Sequence, residues 1–333
     1  MTTTGLGATP AEPPSPGRQT ASPSAPLGAG ERRTFPLVPR RRSTGLPFGD
    51  LPSRRRGQGG DIIGTRPYQS GDPITSIDWF ASARASSATG GDEFVVRDHA
   101  ADEAARVVVV VDRRPSMSLY PPPFPWLAKH VALREAVTAI AASAAAARAD
   151  IAELDFADGD AHWLPPGRWD RQWQVVERAN GGTRFAAPED TLERSIAFLE
   201  EHRTGLPVST FVFVLSDFLA LPTPETWQDA VAHGWDVVPV VIQDPVWERS
   251  FPDVSGVAVP VADPRTGAVT LVRLSRRQVR RRREENERRY RAVIAELESF
   301  GLEVVEIGAS DPSTVDGAFI AWAEERRRRR WSR

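Results

Sequence analysis

From residue 106 onward, hydrophobic and polar positions fall into a repeating strand–helix order. "RVVVVVD" (106–112) is an unbroken apolar run ending in a carboxylate, and "TFVFVLSD" (210–217) is a second. Runs that are continuous rather than alternating predict strands buried on both faces. "IAELDFA" (151–157) alternates, and the turn at Asp158–Gly159 predicts a hairpin with "AHWL". "WDVVPVVI" (235–242) and "LEVVEIG" (302–308) predict two more strands. Helices are predicted over 126–149, 169–179, 188–203, 223–233, about 275–300 and 312–328. In the first of these Leu133, Val137, Ile140 and Ala144 share a face, and the alanine run lets the helix approach a sheet closely. In the fifth, Tyr290, Val293, Ile294 and Leu297 form the apolar stripe. Residues 244–274 are turn-rich, with a hairpin predicted around "DPRTG". Strands alternating with helices define an α/β fold: a mostly parallel central sheet with helices on both faces.

The pattern changes upstream. Residues 1–30 are rich in Pro, Ser, Thr, Gly and Ala without an aromatic side chain, which predicts a disordered tail. Residues 31–56 hold eight arginines against Glu31 and Asp50 and read as an Arg-rich, solvated lead-in. Residues 57–105 mix turn signals with short β-prone pieces and no helical period, predicting a loop-rich, partly β segment. Tyr68, Trp79 and Phe80 are expected to anchor that segment on the main domain, which spans 106–328.

Composition excludes several chemistries. The chain has no cysteine, so disulfides, thiolate zinc sites and a Cys nucleophile are absent. Its single lysine is Lys129, which rules out a phosphate loop of the GxxxxGK[ST] type. A net charge of −2 gives no global attraction to nucleic acid or acidic membranes. No apolar run approaches the roughly 20 residues of a membrane helix, and the start shows no signal pattern, so a cytoplasmic protein is expected.

An open parallel sheet presents ligands beyond the carboxyl ends of its strands. Both fully apolar runs end in aspartate, Asp112 and Asp217, and parallel neighbours would bring the two to one edge. Ser116 and Ser118 follow Asp112, and Thr183 lies in the Gly-rich turn "NGGTRF". Carboxylates with hydroxyls are hard oxygen donors suited to Mg²⁺. The blander reading of the aspartates is structural capping of strand ends.

These residues carry a resemblance. Asp112, Ser116, Thr183 and Asp217 resemble, in order, the metal-ion-dependent adhesion site of the von Willebrand factor A fold. The sequence departs where Arg114 stands in place of that site's first serine. "RPYQSGDPITSIDWFASAR" (66–84), then "FVVRD", then a strand ending in Asp with a later "SM", resembles the domain-of-unknown-function 58 family. The matching positions are Tyr68, Gly71, Asp72, Asp78, Trp79 and Arg84, with "VLSDF" and "DPVWE" further on. The resemblance implies a von Willebrand factor A-like domain. It also implies a non-enzymatic adaptor working with a MoxR-type AAA+ ATPase on a protein client.

Arg114 leaves two arrangements open. Arg114 or Arg113 pairs with Asp112 or Asp217 and replaces the ion, or Arg114 points outward and Mg²⁺ binds the remaining ligands. Asp72 and Asp78 read as fold-holding, Asp72 capping a turn after Gly71. Enzyme readings fit less well: the five histidines form no metal pair, no Gly-x-Ser-x-Gly elbow surrounds Ser116, and Arg114 stands where a dehalogenase-type phosphatase needs a second Asp. Two alternatives to the adaptor stand. One is nucleic-acid or peripheral membrane binding through the arginine arm and "RRQVRRRREENERR" (276–289), whose interleaved acids favour an internally paired helix and weigh against nucleic acid. The other is an Asp-dependent hydrolase.

Overall fold

Six strands make the central sheet of the computed structural model, which describes residues 32–40, 47–70, 72–91, 93–103, 105–119, 127–167, 171–182, 184–263, 266 and 268–331. The tail assigned to 1–30, Gly71 and Thr183 lie outside the described residues. Residues Arg33–Arg333 form one unit.

Two strands come first: β1 (Pro47–Pro67) and β2 (Val95–Glu103), paired antiparallel with several register shifts. Between them lies helix α1 (Trp79–Thr89). The central sheet comprises β3 (Arg106–Val111), β4 (Asp150–Asp155), β5 (His162–Gly167), β6 (Phe211–Ser216), β7 (Asp236–Ile242) and β10 (Val305–Ile307). The spatial order is β10-β7-β6-β3-β4-β5. All neighbours are parallel except β5, which returns antiparallel to β4 as a hairpin. β8 (Ala258–Ala262) and β9 (Val269–Arg273) form a separate antiparallel ribbon. The remaining helices are α2 (Lys129–Ala146), α3 (Gln172–Asn180), α4 (Thr191–Glu201), α5 (Pro224–Ala232), α6 (Arg276–Ser299) and α7 (Pro312–Trp331).

The valines of β3 are buried on both faces because each face has its own helical layer. Val107, Val109 and Val111 pack with Phe211, Phe213 and the buried sides of α2, α3 and α7. Val108 and Val110 pack with Val212, Val214 and residues of α4, α5 and α6. The alanines of α2 (Ala132, Ala136, Ala139) are fully buried and bring that helix close to the strands.

Two expectations give way here. The Arg-rich lead-in is not a solvated arm over residues 33–40. Phe35 stacks on Phe319 at 4.8 Å and meets Trp322 and Phe213 edge-on, while Leu37 and Val38 are also buried. Three apolar side chains among arginines are enough to dock the segment, since each buried one contributes roughly 1.5–3 kcal/mol. The aromatic residues of the upstream module do not anchor it: Phe80 is 81 % exposed, Trp79 59 % and Tyr68 39 %. Trp79 and Tyr68 instead meet Phe94 edge-on. A strand pair with one short helix offers no second layer to cover them. That helix, α1, also differs from the expected loop. Asp78 caps it by accepting from Ala81 N, and Gly90 closes it at φ 72°. Its Ala and Ser residues carry no apolar stripe, so periodicity could not signal it.

Candidate functional site

The register of β3 with β6 (Val111↔Leu215) puts Asp112 and Asp217 at the same sheet edge, both fully buried. Asp112 extends the strand, its N–H donating to Leu215 O at 3.0 Å. The chain then turns at Arg114 into a single tight turn, Pro115–Ser118, with Pro115 fixing its start. That turn folds Arg114 back over the preceding carboxylate. Its backbone N donates to Asp112 Oδ1 at 2.8 Å, its Nε to Oδ2 at 2.9 Å and its Nη2 to Oδ2 at 2.6 Å. The fork also donates to Ser216 Oγ at 3.0 Å, and Nη2 lies 3.5 Å from Asp217 Oδ1. Burial opposes a charged guanidinium, but the hydrogen bonds and charge of Asp112, with Asp217 behind, outweigh it and raise Arg114 further.

Ser216 fastens the two strand ends. Its hydroxyl donates to Asp112 Oδ2 at 2.7 Å and accepts from Phe218 N at 3.0 Å. Phe218 is buried with φ 49°, a left-handed conformation that costs a non-glycine residue about 1–3 kcal/mol, so the surrounding contacts over-determine this corner.

Lys129, the first residue of α2, is fully buried and supplies a second cation. Its Nζ donates to Asp217 Oδ2 at 2.9 Å, to Glu248 Oε1 at 2.5 Å and to Ser116 O at 3.3 Å. Burial would raise the Asp217 carboxyl. The Lys129 ammonium, a hydrogen bond from Ser116 and the Arg114 charge prevail and hold it below the usual range. Glu248 behaves oppositely: burial lifts its carboxyl above the ordinary value despite the same ammonium. Burial works against the Lys129 ammonium, but the charges of Asp217 and Glu248 and its hydrogen bonds to both outweigh it and raise Lys129.

A second buried cluster lies beside the first. Arg178 of α3 grips Asp155 with two bonds of 2.9 Å, and Ala157 N donates to Asp155 at 3.0 Å. Arg113 stands 3.9 Å from Asp155 and 5.4 Å from the Phe185 ring centroid. Two residues back on β4, Glu153 is fully buried and neither carboxyl oxygen has a hydrogen-bond partner. Burial first, then the Asp155 charge, push it up to about 8, more than Arg113 and Arg178 can counter. Folded Glu153 stays protonated where the unfolded chain ionises, so its favourable contribution is complete below the unfolded value of 4.5 and fades as pH rises to about 8. Glu153→Gln is expected to remove that slope: melting temperatures of wild type and variant diverge between pH 5 and 9, the variant being relatively more stable at the alkaline end. Parallel curves would refute the assignment.

Of the residues expected at the edge, the structure brings together Asp112, Arg114, Ser116 and Asp217. Lys129, Ser216 and Glu248 join them without having been foreseen at the site. The donor set does not fit a divalent cation: one carboxylate is forked by Arg114 and the other bound by Lys129. Among the described residues no cluster of three His, Asp or Glu side chains is arranged to hold a metal. Asp72 and Asp78 of the upstream motif hold their own module. Asp72 takes Arg66 in a two-point pair of 2.6 and 2.7 Å and accepts from Gln69 N at 2.8 Å, which lowers it to about 2. Asp78 pairs with Arg97 at 3.0 Å while capping α1, and Arg84 is exposed on that helix.

Fold and edge together define a mixed α/β protein with a mostly parallel sheet whose ligand edge is filled by the protein's own cations. The chain belongs to the family described as proteins of unknown function DUF58, whose model matches residues 64–293. Among solved structures it is similar to the conserved hypothetical protein BatB from Bacteroides thetaiotaomicron, at 15 % identity over 66 % of this chain and 100 % of that one, with a TM-score of 0.42. An aerotolerance-related membrane protein from Bacteroides fragilis matches at 14 % identity over 67 % and 100 %, with a TM-score of 0.41. The pilus adhesin SpaC from Lactobacillus rhamnosus matches at 12 % over 67 % and 30 %, with a TM-score of 0.38. No curated protein matches the chain. Among the described residues no helix is long and apolar enough to cross a membrane.

Proposed function

We propose that this protein is a non-catalytic adaptor that binds partners through the carboxyl edge of a von Willebrand factor A-like sheet. In this reading Arg114, with Lys129, takes the place of the adhesion-site ion, and no metal or other cofactor is needed. The observation that carries it is the state of the edge carboxylates. Asp112 and Asp217 are each fully buried and bound by a cation, so neither is free to act as general base, nucleophile or ligand. What the edge retains is a rigid, pre-formed surface, which suits recognition rather than turnover. Membership of the family, together with the upstream signature, supports a MoxR-type AAA+ ATPase as one partner in the cytoplasm and a protein client as the other.

The test is affinity capture of the full chain from its native host, read by mass spectrometry. Wild type is expected to recover an AAA+ ATPase. Leu219→Asp, two residues beyond Asp217 and 37 % exposed, is expected to lose it. Recovery of no such ATPase by wild type would overturn the reading.

A further inference from the structure

Beside the filled edge runs a groove of about 650 Å³. One wall is α6, with Arg281, Arg282 and Arg289, and with Glu285, which pairs with Arg281 at 2.7 Å. The other comes from the loops after β6 and β7, with Leu219, Trp247 and Phe251. The two walls are tied together. Asn286 donates to Trp247 O at 3.0 Å and to Ser250 O at 2.6 Å, Arg283 to Phe251 O at 2.9 Å and Arg289 to Glu248 O at 2.9 Å. Trp247 and Phe251 meet edge-on at 5.6 Å, and the Arg282 guanidinium lies 5.8 Å from the Phe251 ring centroid. The floor reaches the edge itself, since Glu248 of this loop holds Lys129.

We infer that this groove binds an acidic segment of the partner protein carrying apolar side chains. The inference rests on the adaptor reading and names the chemistry its partner presents. Three observations carry it. First, charge: Arg276, Arg277 and Arg280–Arg283 put six guanidinium groups within eight residues at the start of α6, with no acid in the first turn. Arg276 and Arg277, in the first turn, also oppose the helix dipole, which an anionic partner would relieve. Second, Leu119, Leu219, Trp247, Phe251 and Leu274 line the groove among its polar side chains, which favours a peptide with Leu- or Phe-like side chains over a phosphate backbone. Third, the β8–β9 ribbon leads into this surface through Leu274, which also lines the groove, and exposes Leu271 (71 %) and Val269 (64 %). A two-stranded ribbon is marginal on its own, and exposed apolar side chains on it are best accounted for by a protein that covers them.

Binding to the full chain is measured by fluorescence anisotropy with a labelled peptide of alternating Glu-Leu and Asp-Phe pairs. The same peptide with Lys for every acid, a duplex DNA and phosphatidylglycerol vesicles are the comparisons. The acidic peptide is expected to bind, to weaken with salt, and to lose about tenfold or more in affinity in Arg281→Glu/Arg282→Glu and, from the opposite wall, in Leu219→Asp. Thermal melting reports whether each variant is folded. Equal binding of the lysine peptide, preference for DNA or vesicles, or unchanged affinity in folded variants of both walls would overturn the inference. If the ATPase is still captured by Arg281→Glu/Arg282→Glu as by wild type, the groove assignment fails while the adaptor reading stands.

Discussion

Lys129→Met is expected to lower the unfolding free energy by about 3–5 kcal/mol, the loss that follows when one partner of a buried ion pair is removed. The ammonium is fully buried and is the shared donor to Asp217 and Glu248. Its removal leaves two carboxyl groups facing each other in the interior, with Arg114 3.5 Å from Asp217 as the nearest remaining cation. Stability then comes to depend on protonating that pair, so the deficit should shrink as pH falls. Adding Asp217→Asn and Glu248→Gln to the variant should recover part of the loss, because the stranded charges are gone. Urea denaturation of the three proteins decides the matter. A loss under about 1 kcal/mol for Lys129→Met would mean that the ammonium is not what holds this corner.

Arg326→Met is expected to have a comparable effect, about 3 kcal/mol or more, at the opposite end of the sheet. Asp236 opens β7 at 3 % exposure and accepts from Arg326 at 2.8 and 3.0 Å. The same guanidinium donates to Val38 O at 2.9 Å and stacks on Trp322, 4.3 Å from its centroid. Arg40 adds bonds to Asp236 from its backbone N and its Nε, both 3.0 Å. The lead-in thus depends on Arg326 for its seat. The variant should lose protection of residues 35–40 against hydrogen exchange before it loses the sheet. Equal loss across both segments would show that the lead-in and the core unfold as one.

The sheet was legible because unbroken apolar runs such as 107–111 and 211–215 have one physical use, burial on two faces. The same runs put Asp112 and Asp217 at one edge, and the arginine two positions after Asp112 was a visible candidate to pair with it. Lys129 was not legible as a site residue. Its neighbours Asp217 and Glu248 are 88 and 119 positions away, and only tertiary packing brings them to it. The available signal was that a chain otherwise using arginine keeps one lysine, at the start of a helix. Ser216 was hidden as a polar last residue of an apolar strand. Glu153 was hidden by alternation, which reads "IAELDFA" as a strand with a solvated face. In fact the hairpin with β5 and the packing of α3 close that face. The exposed Trp79 and Phe80 mislead in the other direction, because large aromatic side chains imply burial only where a second layer exists to cover them.

Arg114 and Lys129 hold the edge carboxylates Asp112 and Asp217. Calorimetric titration of Mg²⁺ into wild type and Arg114→Ser shows whether these cations leave room for an ion. Wild type should give no saturable heat at millimolar Mg²⁺, while Arg114→Ser, which frees the oxygens of Asp112 and Ser216, should gain weak binding. Tight, stoichiometric Mg²⁺ binding by the wild-type protein would show that Arg114 and Lys129 do not take the place of an ion.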